Sequence, residues 1–196
     1  MWDTAGTGAA GPHDGRMTRP PEFRETGAHR AAADQETNHS PYLAGLRLAG
    51  RRVVVLGAGV VATRRIPVLL EAGAEVQVIA PHATSDVRHW HDRGELAWRH
   101  RRYAGGDLSG AWYVLVATDD PRCNEEASAE AERGQIFCVR SDDRHAATAW
   151  TPATAEVDGI TVGILSGGDP RRSRWVRDVL VARLAELGGR VRRLAA

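Results

Sequence analysis

The sequence of 196 residues contains no lysine, so every basic side chain other than histidine is an arginine. This absence excludes chemistry that requires a lysine amine. A Schiff base with a carbonyl substrate, a lysine general base and the lysine of a Walker A phosphate-binding loop are all ruled out.

Cysteine is almost as scarce, with Cys123 and Cys138 alone. They do not form a Cys-x-x-Cys pair and no second pair exists, so neither a zinc knuckle nor a disulfide framework is predicted. Cys138 belongs to the apolar run Ile136–Val139 and is expected to be a buried strand residue. Reduced cysteines and the lack of a signal-peptide apolar stretch favour a cytoplasmic location.

Long apolar runs and an excess of one charge sign are also missing. No apolar run approaches the roughly 20 residues that a membrane span needs. The formal net charge is +1, which gives no reason to expect nucleic acid or an anionic membrane as a partner. Hydrophobic residues nevertheless make up 42% of the chain, enough to predict a packed, soluble core.

The middle of the chain alternates between short apolar runs and helical segments. Residues 1–40, which precede this region, are rich in Gly, Ala, Thr, Pro and charged residues and show no apolar periodicity, which predicts a disordered extension. The alternation over residues 41–143 then predicts an α/β fold, a Rossmann-type doubly wound parallel sheet. Strands are expected at 53–56, 75–80, 96–100, 112–117 and 136–139, and helices at about 60–71, 86–93 and 121–133. Pro67 should kink the first helix near Arg64 without ending it.

The alternation stops after Asp142, and residues 144–196 are predicted to form a small appended hairpin and helix. Strands at 149–155 and 160–165 flank Asp158-Gly159, a hairpin turn signal. The helix should begin after Asp169, as its N-cap, and end at Gly188-Gly189. Because a lone hairpin is marginal in water, we expect this unit to pair with a second copy of the chain as a homodimer.

A glycine-rich turn follows the first strand in the pattern G-x-G-x-x-A. Gly57 permits the tight turn, Gly59 lets the backbone approach a pyrophosphate, and Ala62 is small enough for helix-on-strand packing. The free N–H groups of the helix start, at Val60 and Val61, would face the anion. Between a buried strand and a helix, this motif predicts dinucleotide binding rather than a merely structural turn.

The acidic residue that usually ends the second strand is missing. Ala80 stands where Asp or Glu would hold the ribose hydroxyls, so the residues do not decide between NAD and NADP. Backbone groups near Pro81 and His82 are the alternative ribose contacts.

Carboxylates follow the fourth and fifth strands, at the edge where open α/β sheets bind ligands. Thr118 and Asp119 are candidate cofactor contacts, although Asp119 could equally cap the next helix. Asp142 and Asp143 follow the fifth strand, where a carboxylate could act as a general base on the nicotinamide side.

Together these residues resemble the precorrin-2 dehydrogenase/sirohydrochlorin ferrochelatase family, which is also the N-terminal module of siroheme synthase. Order and spacing agree from about Tyr42 to Leu187. The matching stretches are Gly57 to Ala62, Leu69 to Ala74, Ala117-Thr118-Asp119-Asp120 with Asn124, Ile136-Phe137-Cys138, Asp142 and Ser166-Gly167-Gly168.

The resemblance implies oxidation of precorrin-2 to sirohydrochlorin with NAD, by a homodimer in which Asp142 is the catalytic carboxylate. It also implies Fe²⁺ as a possible substrate of a ferrochelatase activity using the same carboxylate. The macrocycle would supply the metal's nitrogen ligands, so no permanent protein metal site is expected. The chain stops soon after one helix, and Asp169-Pro170-Arg171-Arg172 replaces the family's small turn, so chelation is less expected than dehydrogenation.

The last part of the chain is strongly basic, with eight arginines and three acidic residues from Ile164 onwards. Arginine forks suit a polycarboxylate such as precorrin-2, although a solvated helix face would have the same composition. The candidate substrate contacts are Ser166, Gly167, Arg171, Arg172 and Arg174. The main alternative is an NAD-sensing regulatory or dimerisation domain without catalysis, although such domains usually keep the acid that Ala80 replaces.

Overall fold

The structure is a computed structural model, and it describes residues 40–194, with side chains as far as residue 187. The extension predicted over residues 1–40 lies, as far as His39, outside the described residues. In the described part, the elements in chain order are β1 Arg52–Leu56, α1 Val60–Glu71, β2 Glu75–Ile79, α2 Ser85–Asp92, β3 Ala97–Arg99, β4 Tyr113–Val116, α3 Pro121–Arg133, β5 Phe137–Arg140, β6 Ala153–Val157, β7 Ile160–Ile164 and α4 Pro170–Leu194.

The first five strands form one parallel sheet in the order β3-β2-β1-β4-β5. This is the doubly wound sheet predicted from the sequence, with β1 at its centre and buried on both faces. Alternate side chains of β1 pack into two hydrophobic cores, one on each face of the sheet, since successive strand side chains point to opposite faces. Val55 packs with Ala62 and Ile66 of α1, while Leu56 packs with Ala127 of α3 on the other face.

Pro67 lies inside α1, which continues from Val60 to Glu71 as one helix. The expectation that this proline would not end the helix is therefore confirmed. Ala62 and Ile66, which face the sheet, are the buried residues of α1, so packing against the sheet offsets the hydrogen bond that proline cannot donate.

The appended unit is an antiparallel hairpin followed by α4, which packs on both hairpin strands. The predicted turn is confirmed, because Asp158 and Gly159 both have positive φ, at 50° and 78°. The first hairpin strand, however, begins at Ala153 rather than at residue 149. Ala149 instead donates its N–H to the carbonyl of Cys138 at 2.9 Å, and Pro152 has no N–H to offer a ladder.

The predicted end of the last helix at Gly188-Gly189 is wrong, because α4 continues through both residues to Leu194. Each helical glycine costs about 1 kcal/mol relative to alanine. Two of them do not stop a helix that many preceding residues have already nucleated, because propagation adds one hydrogen bond per residue. Asp169 does cap the start, accepting from the N–H groups of Arg171 and Arg172 at 2.9 and 3.1 Å.

None of the helices between residues 40 and 194 is both long and apolar enough to cross a bilayer.

Candidate functional site

A cleft of about 1130 Å³ opens at the carboxyl edge of the parallel sheet. It gathers the ends of β1, β2 and β4 together with the start of α1 and of α3, as a topological switch point should. Of the nine residues predicted to hold a cofactor, eight line it, namely Gly57, Gly59, Val60, Val61, Pro81, His82, Thr118 and Asp119. The ninth, Ala62, is fully buried and packs α1 on the sheet instead.

The turn after β1 is shaped by two glycines with different roles. Gly57 has φ +91°, and a Cβ there would lie 2.3 Å from the carbonyl oxygen of Ala117. Gly59 is the N-cap of α1, and a Cβ on it would meet no atom within 4 Å. No side chain caps this helix and its first turn has no acidic residue. Space and free N–H groups for a pyrophosphate are therefore present together.

The wall at the end of β2 holds no carboxylate. Both backbone polar groups of Ala80 are already hydrogen-bonded. Its carbonyl accepts from Trp98 Nε1 at 2.9 Å, and its N–H donates to the backbone carbonyl of Arg99 at 3.2 Å. Among the residues lining the cleft, the acidic ones are Asp119, Asp120 and Glu126, which lie after β4 and on α3. Beyond Ala80, this wall is lined by Pro81, His82, Ala83 and Thr84.

The cleft lining also includes Arg102 and Tyr103, neither of which was predicted from the sequence. Both lie in the helix-free connection between β3 and β4. The Tyr103 hydroxyl donates to Glu130 of α3 at 2.5 Å, and burial together with that carboxylate raises the pKa of Tyr103. Arg102 reaches Asp120 at 3.6 Å, so this exposed ion pair joins the β3–β4 connection to the start of α3.

Asp107 anchors the same connection and is 9% exposed. Its two carboxylate oxygens accept hydrogen bonds from the two terminal nitrogens of Arg101, each at 2.6 Å. Oδ2 also accepts from the backbone N–H of Ala104 at 2.9 Å. The Arg101 hydrogen bonds lower the pKa of the Asp107 carboxyl despite its burial. This network supports the wall that carries Arg102 and Tyr103.

At the end of β4, Asp120 rather than Asp119 caps α3. Its carboxylate accepts from the N–H groups of Arg122 and Cys123 at 3.1 and 3.3 Å. The capping role weighed for Asp119 is therefore wrong, because the helix begins one residue later, at Pro121. Asp119 stays exposed in the cleft lining.

Asn124 connects the cleft to the carboxylate after β5. Its side chain is 2% exposed and exchanges hydrogen bonds with Thr118, accepting from the hydroxyl at 2.5 Å and donating to the carbonyl at 3.1 Å. The same amide nitrogen donates to Asp142 Oδ2 at 2.9 Å. Asp142 does not line the cleft itself but lies one side chain away from it.

Asp142 is held mainly by Arg140, a residue that the sequence analysis also missed. The guanidinium donates through Nε to Oδ1 at 2.9 Å and through its terminal nitrogen to Oδ2 at 2.5 Å. These bonds hold the pKa of the Asp142 carboxyl far below its usual range, and the Asn124 amide adds to the effect. Asp143 has a separate partner, the N–H of His145 at 2.8 Å.

The predicted substrate residues lie at the start of α4 and not in the cleft. Ser166 contacts Ser173 and the carbonyl of Asp169, at 2.6 and 2.8 Å. Arg144, from the loop that follows Asp142, donates to the carbonyl of Gly168 at 2.8 Å. Arg171, Arg172 and Arg174 are exposed. The structure thus brings the Ser-Gly-Gly turn to the Asp142 loop but leaves these arginines facing solvent.

Comparison with known proteins gives a consistent assignment. A family model described as putative NAD(P)-binding matches residues 44–153. The chain is 32% identical over 151 residues to the siroheme synthase of Photorhabdus laumondii and 34% identical over 149 residues to that of Chromobacterium violaceum. Each alignment covers 76% of this chain and 32% of the relative, so the chain spans about a third of their length.

A solved structure described as SirC, precorrin-2 dehydrogenase, has the same fold. It superposes with a TM-score of 0.62 at 25% sequence identity, covering 73% of this chain and 71% of the other.

Proposed function

The chain belongs to the putative NAD(P)-binding family represented in siroheme synthases, and from this we propose that it is a dehydrogenase of siroheme biosynthesis. Its reaction would be the oxidation of precorrin-2 to sirohydrochlorin with NAD. The observation that carries the proposal is a cleft lined by the glycine turn after β1, which lies one side chain away from the carboxylate of Asp142. The fold is similar to that of a precorrin-2 dehydrogenase.

The cleft residues fit a dinucleotide. The open space above Gly59 and the uncapped start of α1 would take the pyrophosphate, with Val60 and Val61 supplying N–H donors. Pro81 and His82 would face the adenosine ribose, and Thr118 and Asp119 the nicotinamide half. When bound, the nicotinamide would accept the hydride that the oxidation releases.

The protein must also remove a proton and hold a substrate with many carboxylates. Asp142 would accept the proton, since its carboxylate is ionised and 38% exposed. Ser166 and Gly167, beside the Asp142 loop, would contact the macrocycle, and Arg171, Arg172 and Arg174 would pair with its carboxylates. For these arginines to reach a substrate at the cleft, the substrate must extend from the Asp142 loop towards α4.

A second copy of the chain is the proposed partner of the appended unit. Trp175, Val179 and Leu180 on α4 are 61%, 49% and 41% exposed. A large apolar patch on a short helix-hairpin layer is typical of an interface between subunits.

The direct test combines purified protein, precorrin-2 and NAD, with sirohydrochlorin followed by its absorbance. We expect turnover that requires both substrates. Binding of NAD without any oxidation of precorrin-2 would instead support the regulatory alternative.

A further inference from the structure

The guanidinium of Arg140 is an unusual neighbour for a proposed general base. Its side chain is 6% exposed, and it makes a two-point ion pair with Asp142. A buried charge is costly unless paired, so Arg140 and Asp142 are held together by the cost of separating them.

The hydrogen bonds leave the two carboxylate oxygens in different states. Oδ2 accepts from Arg140 and from Asn124, which uses both of its lone pairs. Oδ1 accepts from one side-chain donor, the Nε of Arg140, and the backbone N–H of Asp142 itself also donates to the carboxylate. Oδ1 therefore has fewer side-chain donors than Oδ2, and the fork of Arg140 fixes the direction in which it points.

From this geometry we propose that Arg140 is a positioning residue, which keeps Asp142 ionised and aims Oδ1 at the substrate. The inference rests on the proposed function of Asp142. The oxidation transfers a hydride, with its electron pair, to the nicotinamide and leaves the substrate cationic. Such a cation gives up its proton readily, so a weak base suffices, and Oδ1 can pass the proton on to water.

Within the described residues, the charged or titratable groups that interact with this pair lie on β5, on α3 and in the loop after β5. Besides Asp142, Arg140 is influenced by Asp143 and Cys138. On the α3 side, the neutral Asn124 and Ser128 face the pair, Ser128 at 3.4 Å from Arg140, and Glu132 lies near Cys138. Arg140 is thus the cation that the described contacts place against the carboxylate of Asp142.

The test compares Arg140→Gln and Arg140→Lys with the wild type. ¹³C NMR of the side-chain carboxyl carbon (Cγ) in aspartate-labelled protein, with the Asp142 signal assigned from Asp142→Asn, reports the ionisation directly. We expect the wild-type carboxylate to stay ionised to the lowest pH at which the fold persists. In Arg140→Gln its midpoint should rise by about one to three pH units, the usual effect of losing an adjacent opposite charge.

The rate measurements distinguish the effect of the Arg140 charge on Asp142 ionisation from its effect on the orientation of the Asp142 carboxylate. The acid limb of kcat/KM should move up in Arg140→Gln and stay near the wild-type position in Arg140→Lys. In Arg140→Lys, kcat should still fall by about tenfold or more, because one ammonium cannot replace the fork. NAD affinity should be unchanged in both, as in the control Arg133→Gln at the exposed end of α3.

Equal NMR midpoints in wild type and Arg140→Gln would overturn the proposal, as would an unchanged kcat in Arg140→Lys. If Arg140→Gln does not fold, Arg140→Lys still decides the orienting role. If no variant, including the wild type, oxidises precorrin-2, the proposed function fails, while the NMR titration still answers whether Arg140 holds the charge.

Discussion

The buried amide of Asn124 lies 2.9 Å from the carboxylate of Asp142, and the same nitrogen lies 3.1 Å from the carbonyl oxygen of Thr118. One side chain of α3 therefore joins the cleft lining to the loop after β5. Asn124 is 2% exposed, so this link between the cleft lining and Asp142 is buried.

Asp142→Asn should lower precorrin-2 oxidation by roughly 100-fold or more, the usual contribution of a positioned general base, while leaving NAD affinity nearly intact. Asp143→Asn is the matched control and should do far less, because its carboxylate faces the N–H of His145 instead. Steady-state rates and calorimetry with NAD measure both effects. Any ferrochelatase activity should fall with Asp142 as well. A crippled Asp143→Asn beside an active Asp142→Asn would show that the base has been assigned to the wrong neighbour.

Gly59→Asp should abolish dinucleotide binding, because a carboxylate would occupy the open space above the start of α1. Gly45→Asp is a suitable control, since a Cβ there also meets nothing within 4 Å and the residue lies before β1, outside the cleft lining. Calorimetry with NAD should show no heat for the first variant and wild-type affinity for the second. Wild-type affinity in both would refute the assignment of this turn to the pyrophosphate.

Trp175→Ser should weaken self-association, because it removes the most exposed large apolar side chain of α4 within residues 170–187. Light scattering at micromolar concentration should give a dimer for the wild type and a concentration-dependent mixture for the variant. Trp112→Ser provides the control, since Trp112 is 51% exposed but stacks on Arg51 beside the parallel sheet. A monomeric wild type would contradict the proposed dimer.

Glu130→Gln should reduce the free energy of unfolding by about 1–3 kcal/mol, the usual cost of weakening hydrogen bonds to a charged acceptor. The carboxylate accepts from Tyr103 and from the N–H groups of Gly106 and Leu108. Burial by itself would raise the pKa of Glu130, but these hydrogen bonds together outweigh burial, so the pKa of Glu130 lies below its usual value.

The sign of the pH dependence follows from that lowered pKa. The contribution of Glu130 is fully present above the unfolded value of about 4 and is lost as the pH falls through the folded value. Urea denaturation of wild type and variant should therefore converge below about pH 4. A gap that stays constant with pH would show that ionisation of Glu130 is not involved.

The sheet and the cleft could be predicted because their signals are local in sequence. Unbroken apolar runs such as Val53 to Leu56 give buried parallel strands, and Gly57 and Gly59 follow one of them directly. The pairing of Asp158 and Gly159 likewise specified a hairpin turn. The ends of the parallel strands differ from the prediction by at most one residue, but the first hairpin strand begins four residues late, since hydrogen bonding and not composition sets strand ends.

The partners of the site could not be predicted, because they come from distant parts of the chain. Nothing in the run Pro121 to Arg133 indicates that Glu130 would bind the β3–β4 connection or that Asn124 would face Asp142. Arg140 reads as the polar end of a strand, and its burial appears only once α3 is packed beside it. The arginines of α4 were predicted to contact a polycarboxylate, with a solvated helix face as the alternative, and where they lie relative to the cleft depends on tertiary packing.

The connection between β3 and β4 has no helix. Its end is packed into the core through Leu108 and Ala111, and the rest is held by hydrogen bonds to Asp107 and Glu130. Segments held in this way open with less free energy than the sheet, so their amide hydrogens should exchange with solvent before those of β1 or β4. Since Arg102 and Tyr103 belong to it, one wall of the cleft is also the part of the Rossmann unit that a bound dinucleotide would protect most from exchange.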